Sequence, residues 1–192
     1  MNTKEFTLLD KFLSNYRLSM VSKYIEQDDV ILDFGCGVQH YLLTRFKYKF
    51  KFGVGLDYAI NASENGNISL INYKYQGNLP LKEDFFDKVF FLAVLEHFEI
   101  SDARVIFSEF SRILKKNGRI IITTPTPRCK PIWEFIVFKL KLVTAKEVID
   151  HKHYYIAKEI IDLAKACGLK VVCSRLFQLG LNSLYVIEKE GH

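Results

Sequence analysis

The sequence predicts an α/β fold: a seven-stranded, mostly parallel sheet with helices on both faces and a C-terminal antiparallel hairpin. Three observations lead there. Apolar runs at residues 30–34 and 52–57 are interrupted only by acids and glycines, as in strands buried on both faces. Segments with helical spacing alternate with these runs. The last two strand candidates are joined by "QLGLN", too short for a helical crossover.

The elements follow in order. From about Phe6 to Ile25, the residues Leu8, Leu9, Phe12, Leu13, Tyr16, Leu18, Val21 and Tyr24 recur at helical spacing. Val30–Phe34 is the first strand, and Tyr41–Phe46 a short helix. "FGVGLDY" is the second strand and ends at Asp57; "ISLINYKY" alternates and suits a third, nearer an edge. "KVFFLAVL" is the fourth. Ser101 or Asp102 is expected to cap a helix whose apolar face is Ile106, Phe110, Ile113 and Leu114, with Asn117-Gly118 stopping it. "RIIITT" is the fifth strand, ended by Pro125 and Pro127. A helix over Ala157–Cys167 closes at Gly168, and "LKVVCSRLF" and "SLYVIEK" form the final pair.

Composition narrows the function classes. Apolar residues make up 49% and charged residues 26%, which is ordinary for a globular chain rather than a disordered one. Lys and Arg exceed Asp and Glu by 27 to 22, but they are spread along the chain, so no nucleic-acid face is expected. The densest basic run, "KYKFKF", reads as a solvated helix end entering a strand. Four cysteines without CxxC pairing or metal-ligand spacing point to free thiols in a reducing compartment. The charged start is unlike a signal peptide, and no apolar run reaches membrane-span length, so a cytoplasmic protein is expected.

The residues with chemistry cluster at strand ends. Asp33, Gly35 and Gly37 follow strand one, Asp57 ends strand two, and Asn78 follows strand three. Glu96 and His97 follow strand four, and Thr124 ends strand five. In an open α/β sheet this is the ligand-binding edge. The glycines permit a sharp turn and close backbone approach, and Asp57 has the position of an acid that accepts from a ribose diol. Taken singly, a plain turn and a solvated acid explain them. Together they point to a nucleoside. A dinucleotide fits poorly, because His40 replaces the third glycine and Asp33 would repel a pyrophosphate; a cationic amine suits Asp33 better. The P-loop pattern is absent.

"VILDFGCG" resembles motif I of class I S-adenosylmethionine-dependent methyltransferases, and "GLDYA" their second motif. "LPLKEDFFDKVFFLAVLEHF", "ILKKNGRIIITTP" and "HYYIAKEIIDLAKACGLKVV" resemble the segments through their fourth, fifth and sixth strands. The similarity runs from about Tyr16 to Lys189. It is nearest the small methyltransferase-domain group that includes quinone O-methyltransferases and enzymes of surface-polysaccharide pathways.

The resemblance implies one Rossmann-like methyltransferase domain over 1–192, with an N-terminal helical cap at 1–28 and an acceptor-side insertion at 126–155. It implies S-adenosyl-L-methionine as cofactor. Asp33 and the Gly35–Cys36–Gly37 turn would hold its methionine portion. Asp57 would take the ribose hydroxyls, Tyr58 would flank the adenine, Asn78 would lie near its amino group, and Ala93 would offer backbone. Arg17 sits where some relatives keep an arginine near the cofactor carboxylate; a surface arginine is the alternative. Two departures stand out. Gln39 occupies a place where relatives have a third glycine. Ala93 stands where metal-binding quinone methyltransferases have an acid, so no metal is expected.

The acceptor is expected to be a small molecule or a lipid- or sugar-linked one, methylated at oxygen or nitrogen. His97 is the first candidate for a base and His153 the second; packing or capping explains the first as well, and a polar linker explains His151 better. "PIWEFIVFKLKLV" (131–143) reads as a buried helix, a lid, or a helix lying on a membrane surface, in that order. The competing function is a non-catalytic cofactor-binding module acting through a protein partner.

Overall fold

The computed structural model describes residues 8–129 and 151–190. The segment 131–143, with its three readings, and most of the acceptor-side insertion lie outside the described residues. So does the start of the N-terminal cap.

Eight strands form one sheet: β1 (Val30–Phe34), β2 (Phe52–Asp57), β3 (Ser63–Asn65), β4 (Ile68–Asn72), β5 (Phe86–Leu92), β6 (Leu114–Pro125), β7 (Leu169–Phe177) and β8 (Asn182–Lys189). Their spatial order is β3-β4-β2-β1-β5-β6-β8-β7. The five central strands β4, β2, β1, β5 and β6 run parallel. β3 is antiparallel to β4, and β8 is antiparallel to both of its neighbours, β6 and β7. Strand order reverses between β1 and β5, and in open α/β sheets such a switch point is where the ligand crevice forms, at the C-terminal strand ends.

Alternation along the strands builds two cores. Leu32 and Phe34 of β1, Phe91 of β5, and Ile120 and Ile122 of β6 face α3 (Ile100–Ile113) and α4 (Ala157–Ala166). Ile31, Phe90 and Ile121 face the opposite way, toward α1 (Leu8–Val21) and α2 (Tyr41–Phe46). The α3 side is anchored by Phe34, Phe91 and Phe110, whose rings meet edge to face at 5.2–5.5 Å. α4 begins with the Glu159 carboxylate accepting the Ile156 N–H at 2.9 Å and ends before Gly168, whose φ is 68°. Among the described residues no helix is long and apolar enough to cross a membrane.

Four expectations about the elements change. The sheet has eight strands rather than seven, because Asn65-Gly66 turns the β2–β4 connection into a short hairpin. α3 starts at Ile100 after extended Glu99, whose carbonyl already accepts from Ala103; Ser101 and Asp102 lie within the first turn and cap nothing. α3 also ends at Ile113, not at Asn117-Gly118. Asn117 takes φ 62° inside β6, where the pairing with β5 shifts register. α1 stops at Val21 and a single 3-10 turn, Ser22–Tyr24, replaces its last turn.

At the far end of the sheet from the crevice, Lys88 on β5 is buried against Asp29, with Nζ to Oδ1 at 2.9 Å. Asp29 also accepts the Glu26 N–H at 2.7 Å. Removing the cation would leave a buried carboxylate uncompensated. Lys88→Ala is therefore expected to lower unfolding free energy by about 3–5 kcal/mol in urea denaturation. A loss under about 1 kcal/mol would mean that water reaches Asp29.

Candidate functional site

The β1–α2 turn is fastened to the end of β2. Gly35 donates its N–H to the Leu56 carbonyl at 2.8 Å, and Cys36 to the same oxygen at 3.4 Å. Gly37 donates to Asp57 Oδ2 at 3.0 Å, while Ala59 donates to Asp57 Oδ1 at 2.8 Å. Asp57 thus closes its own turn and steadies the neighbouring one. A carboxylate has about four lone-pair sites, so acceptor capacity remains for a ligand.

The two turn glycines face different surroundings. Gly35 has φ 76°, and a Cβ there would stand 2.6 Å from Val94 Cγ2 at the end of β5. Gly37 has φ 67° and open space beyond it. Cys36 packs inward near Gly55, where a Cβ would come within 3.0 Å of its Sγ. Burial, with Asp33 and Asp57 nearby, pushes the Cys36 thiol up.

Asp33 is 4% exposed. Burial first, and the Asp57 charge second, raise its carboxyl to about 7. Such a site is under-supplied with positive charge and suits a cation.

Across the crevice, β5 ends in strained backbone. Ala93 takes φ 56°, with its N–H donated to the Thr123 carbonyl at 2.8 Å. The turn at Leu95–His97 follows. Glu96 is 2% exposed, and Thr124 Oγ1 donates to its carboxylate at 3.1 Å. Burial raises its carboxyl, opposed by a backbone bond, His97, Arg17 and Thr124. Arg17, from α1, is half-buried as a residue, but its Nε is buried and without a hydrogen-bond partner.

The Glu96 carbonyl accepts the N–H groups of Lys152 and His153 at 2.9 and 3.2 Å. These bonds bring the segment before α4 against the end of β5. The His97 and His151 rings then lie 5.2 Å apart, and Tyr154 Oη is 3.1 Å from His151 Nδ1. His153 points elsewhere: its Nε2 bonds Glu159 at 3.0–3.1 Å and its ring packs on Tyr155.

The sequence-derived candidates thus divide. Asp33, the glycine turn and Asp57 form one interlocked group. Ala93, Glu96 and His97 stand opposite, with Arg17 close enough to act on Glu96. Tyr58 is 72% exposed after β2. Asn78 lines a recess with Lys82 and Arg112, its carbonyl accepting from the Tyr73 hydroxyl. His151, read from sequence as linker, joins the His97 side instead. The histidine density of "DHKHYY" was the available signal, but only the Glu96 carbonyl bonds reveal the partner. Among the described residues, Glu96, His97 and His151 are the group of three donors able to hold a metal ion.

Gly35→Ala is expected to destabilise the fold strongly, combining left-handed backbone with a Val94 clash. Gly37→Ala should cost only about 1–2 kcal/mol of backbone strain in thermal melts. Equal losses would contradict the open space at Gly37. For Asp33, the unfolded value near 3.8 lies below the folded value of about 7. Stability from this group is therefore full below pH about 4 and declines as pH rises toward 7, by up to a few kcal/mol. The melting temperature of the ligand-free protein should fall between pH 5 and 8, and less so in Asp33→Asn. Parallel curves would place Asp33 in a wetter site.

A family model described as a methyltransferase domain matches residues 5–174. No curated protein matches the chain. Solved structures with the same fold include a chain from the complex between the Haloferax volcanii Trm112 methyltransferase activator and its methyltransferase (14% identical, TM-score 0.70, 96% of this chain and 99% of that one). A Methanosarcina mazei S-adenosylmethionine-dependent methyltransferase is 18% identical (TM-score 0.67, 90% and 98% covered). A Pyrococcus horikoshii protein is 20% identical (TM-score 0.70, 98% and 96% covered). The family match covers most of the chain: this chain belongs to the methyltransferase-domain family.

Proposed function

We propose that the crevice binds S-adenosyl-L-methionine and transfers its methyl group to oxygen or nitrogen of a small-molecule or lipid- or sugar-linked acceptor. One observation carries this: two carboxylates, Asp33 and Asp57, flank a glycine turn with open space at Gly37. Asp57 offers acceptor capacity to a ribose diol, and buried Asp33 gains a partner from the cofactor's ammonium or sulfonium. The Cys36–Gly37 backbone approaches the methionine portion, and Ala93 contributes from the facing turn. Arg17, with its orphaned Nε, would receive the cofactor carboxylate. Tyr58 would flank the adenine by swinging in from solvent, and Asn78 would lie near its amino group.

Methyl transfer from a sulfonium is an in-line displacement, so orientation and water exclusion supply most of the acceleration. The acceptor sheds a proton. His97 would take that proton as general base, whereas His153 is held by Glu159. A protein partner is part of the alternative, in which the chain binds cofactor without turnover; the Haloferax volcanii neighbour is a complex with an activator.

Calorimetry with S-adenosylhomocysteine is expected to give one site per chain, weakened at least tenfold by Asp57→Ala. In an acceptor screen, His97→Ala should lower kcat by about 10²–10⁴ with cofactor affinity kept. Binding without turnover on any acceptor would favour the non-catalytic alternative. No binding at all would remove the cofactor assignment.

A further inference from the structure

We propose that the recess between α2 and the β3–β4 hairpin binds a small phosphomonoester with an aromatic or heteroaromatic body. The recess encloses about 420 Å³, within the range of small-molecule sites. It flanks the β3 edge of the sheet, on the side covered by α2. None of its lining side chains is acidic.

Local folding builds this recess. α2 gives way to the run RFKYKFK (45–51), four cations with no acid between them. Asn67 Nδ2 donates to the Lys47 and Phe50 carbonyls at 2.8 and 3.2 Å, which ties the hairpin to that run. Ile68 and Leu70 of β4 supply apolar lining, and Ile68 is buried. Strand alternation sets Ser63 and Asn65 on one face of β3 and Glu64 on the other, and the recess is lined by the first two. At the hairpin turn Gly66 has φ 61°, and nothing stands within 4 Å of the place a Cβ would take, so the recess stays open there.

The polar groups suit phosphate. Lys47 is exposed, and its Nζ lies 4.8 Å from the centroid of the Tyr48 ring. A lysine ammonium meets phosphate as a point charge, whereas carboxylates are matched best by the arginine fork. The Ser63 hydroxyl and the Asn65 amide add uncharged donors. Thr44 Oγ1 donates to the His40 carbonyl at 3.1 Å and so offers the ligand an acceptor. The Tyr48 ring is 84% exposed, a large apolar face at the wall of the recess on which a planar group can stack. The glycine turn repels the same anion, because Asp33 and Asp57 flank it. This site is therefore separate from the cofactor crevice and independent of the methyltransferase reading.

The test is titration of isotope-labelled protein with phenyl phosphate, followed by backbone amide chemical shifts, with and without saturating S-adenosylhomocysteine. Saturable shifts are expected in residues 44–48 and 63–68, with an affinity that the nucleoside changes by no more than about twofold. Lys47→Gln is expected to weaken binding at least fivefold and Tyr48→Ala at least threefold. Both side chains are exposed, so the two variants should melt with the unmodified protein. Inorganic phosphate should bind at least threefold more weakly than the aryl ester. Absent or non-saturating shifts, binding indifferent to Lys47→Gln, or shifts confined to 35–38 and abolished by S-adenosylhomocysteine would overturn the site. Inorganic phosphate binding as tightly as phenyl phosphate would overturn the aromatic preference.

Discussion

The site depends on how the β1–α2 turn is locked to the end of β2. The Leu56 carbonyl accepts from Gly35 and Cys36, and Asp57 reaches back to Gly37. These bonds hold the ends of two parallel strands at a fixed spacing. Val94, from a third strand, fills the place where a side chain at residue 35 would go. Three strand ends are thereby packed against one another, and the next glycine is left bare. Left-handed backbone at Gly35 and Gly37 is what permits this, and the strain at Ala93 is its counterpart on the facing turn.

Burial of charge is the second feature of this edge. Asp33 and Glu96 are both nearly inaccessible, on either side of the strand-order reversal, and neither has a contact ion pair among the described residues. At the opposite edge, Lys88 satisfies Asp29 directly. The contrast has a physical meaning: the far end is built for stability, whereas the crevice keeps carboxylates costly until a cation arrives. The proposed sulfonium cofactor would answer that need at Asp33.

Much of this was legible in the chain. Continuous apolar runs marked the central strands, and a five-residue link marked the terminal hairpin. Asp33, the glycine turn and Asp57 were legible because backbone geometry imposes their spacing. The misses have physical reasons. Asn65-Gly66 lies in a polar stretch with all three β3 residues exposed, so hydrophobic pattern could not mark it as a strand. Asn117-Gly118 signals a chain reversal of direction, and nothing local distinguishes a helix stop from a bulge within β6. His151 meets His97 through backbone bonds to Glu96, which join segments 56 positions apart and leave no trace in spacing. His153 attracted attention by type, yet its imidazole serves the start of α4.

In the proposed function the ends of β1, β2 and β5 form a single cofactor site. Hydrogen exchange with and without saturating S-adenosylhomocysteine tests it most directly. The account predicts added protection in three separate stretches, 33–40, 57–60 and 93–98, with the β7–β8 hairpin unchanged. Protection confined to one stretch, or appearing only elsewhere in the chain, would contradict it.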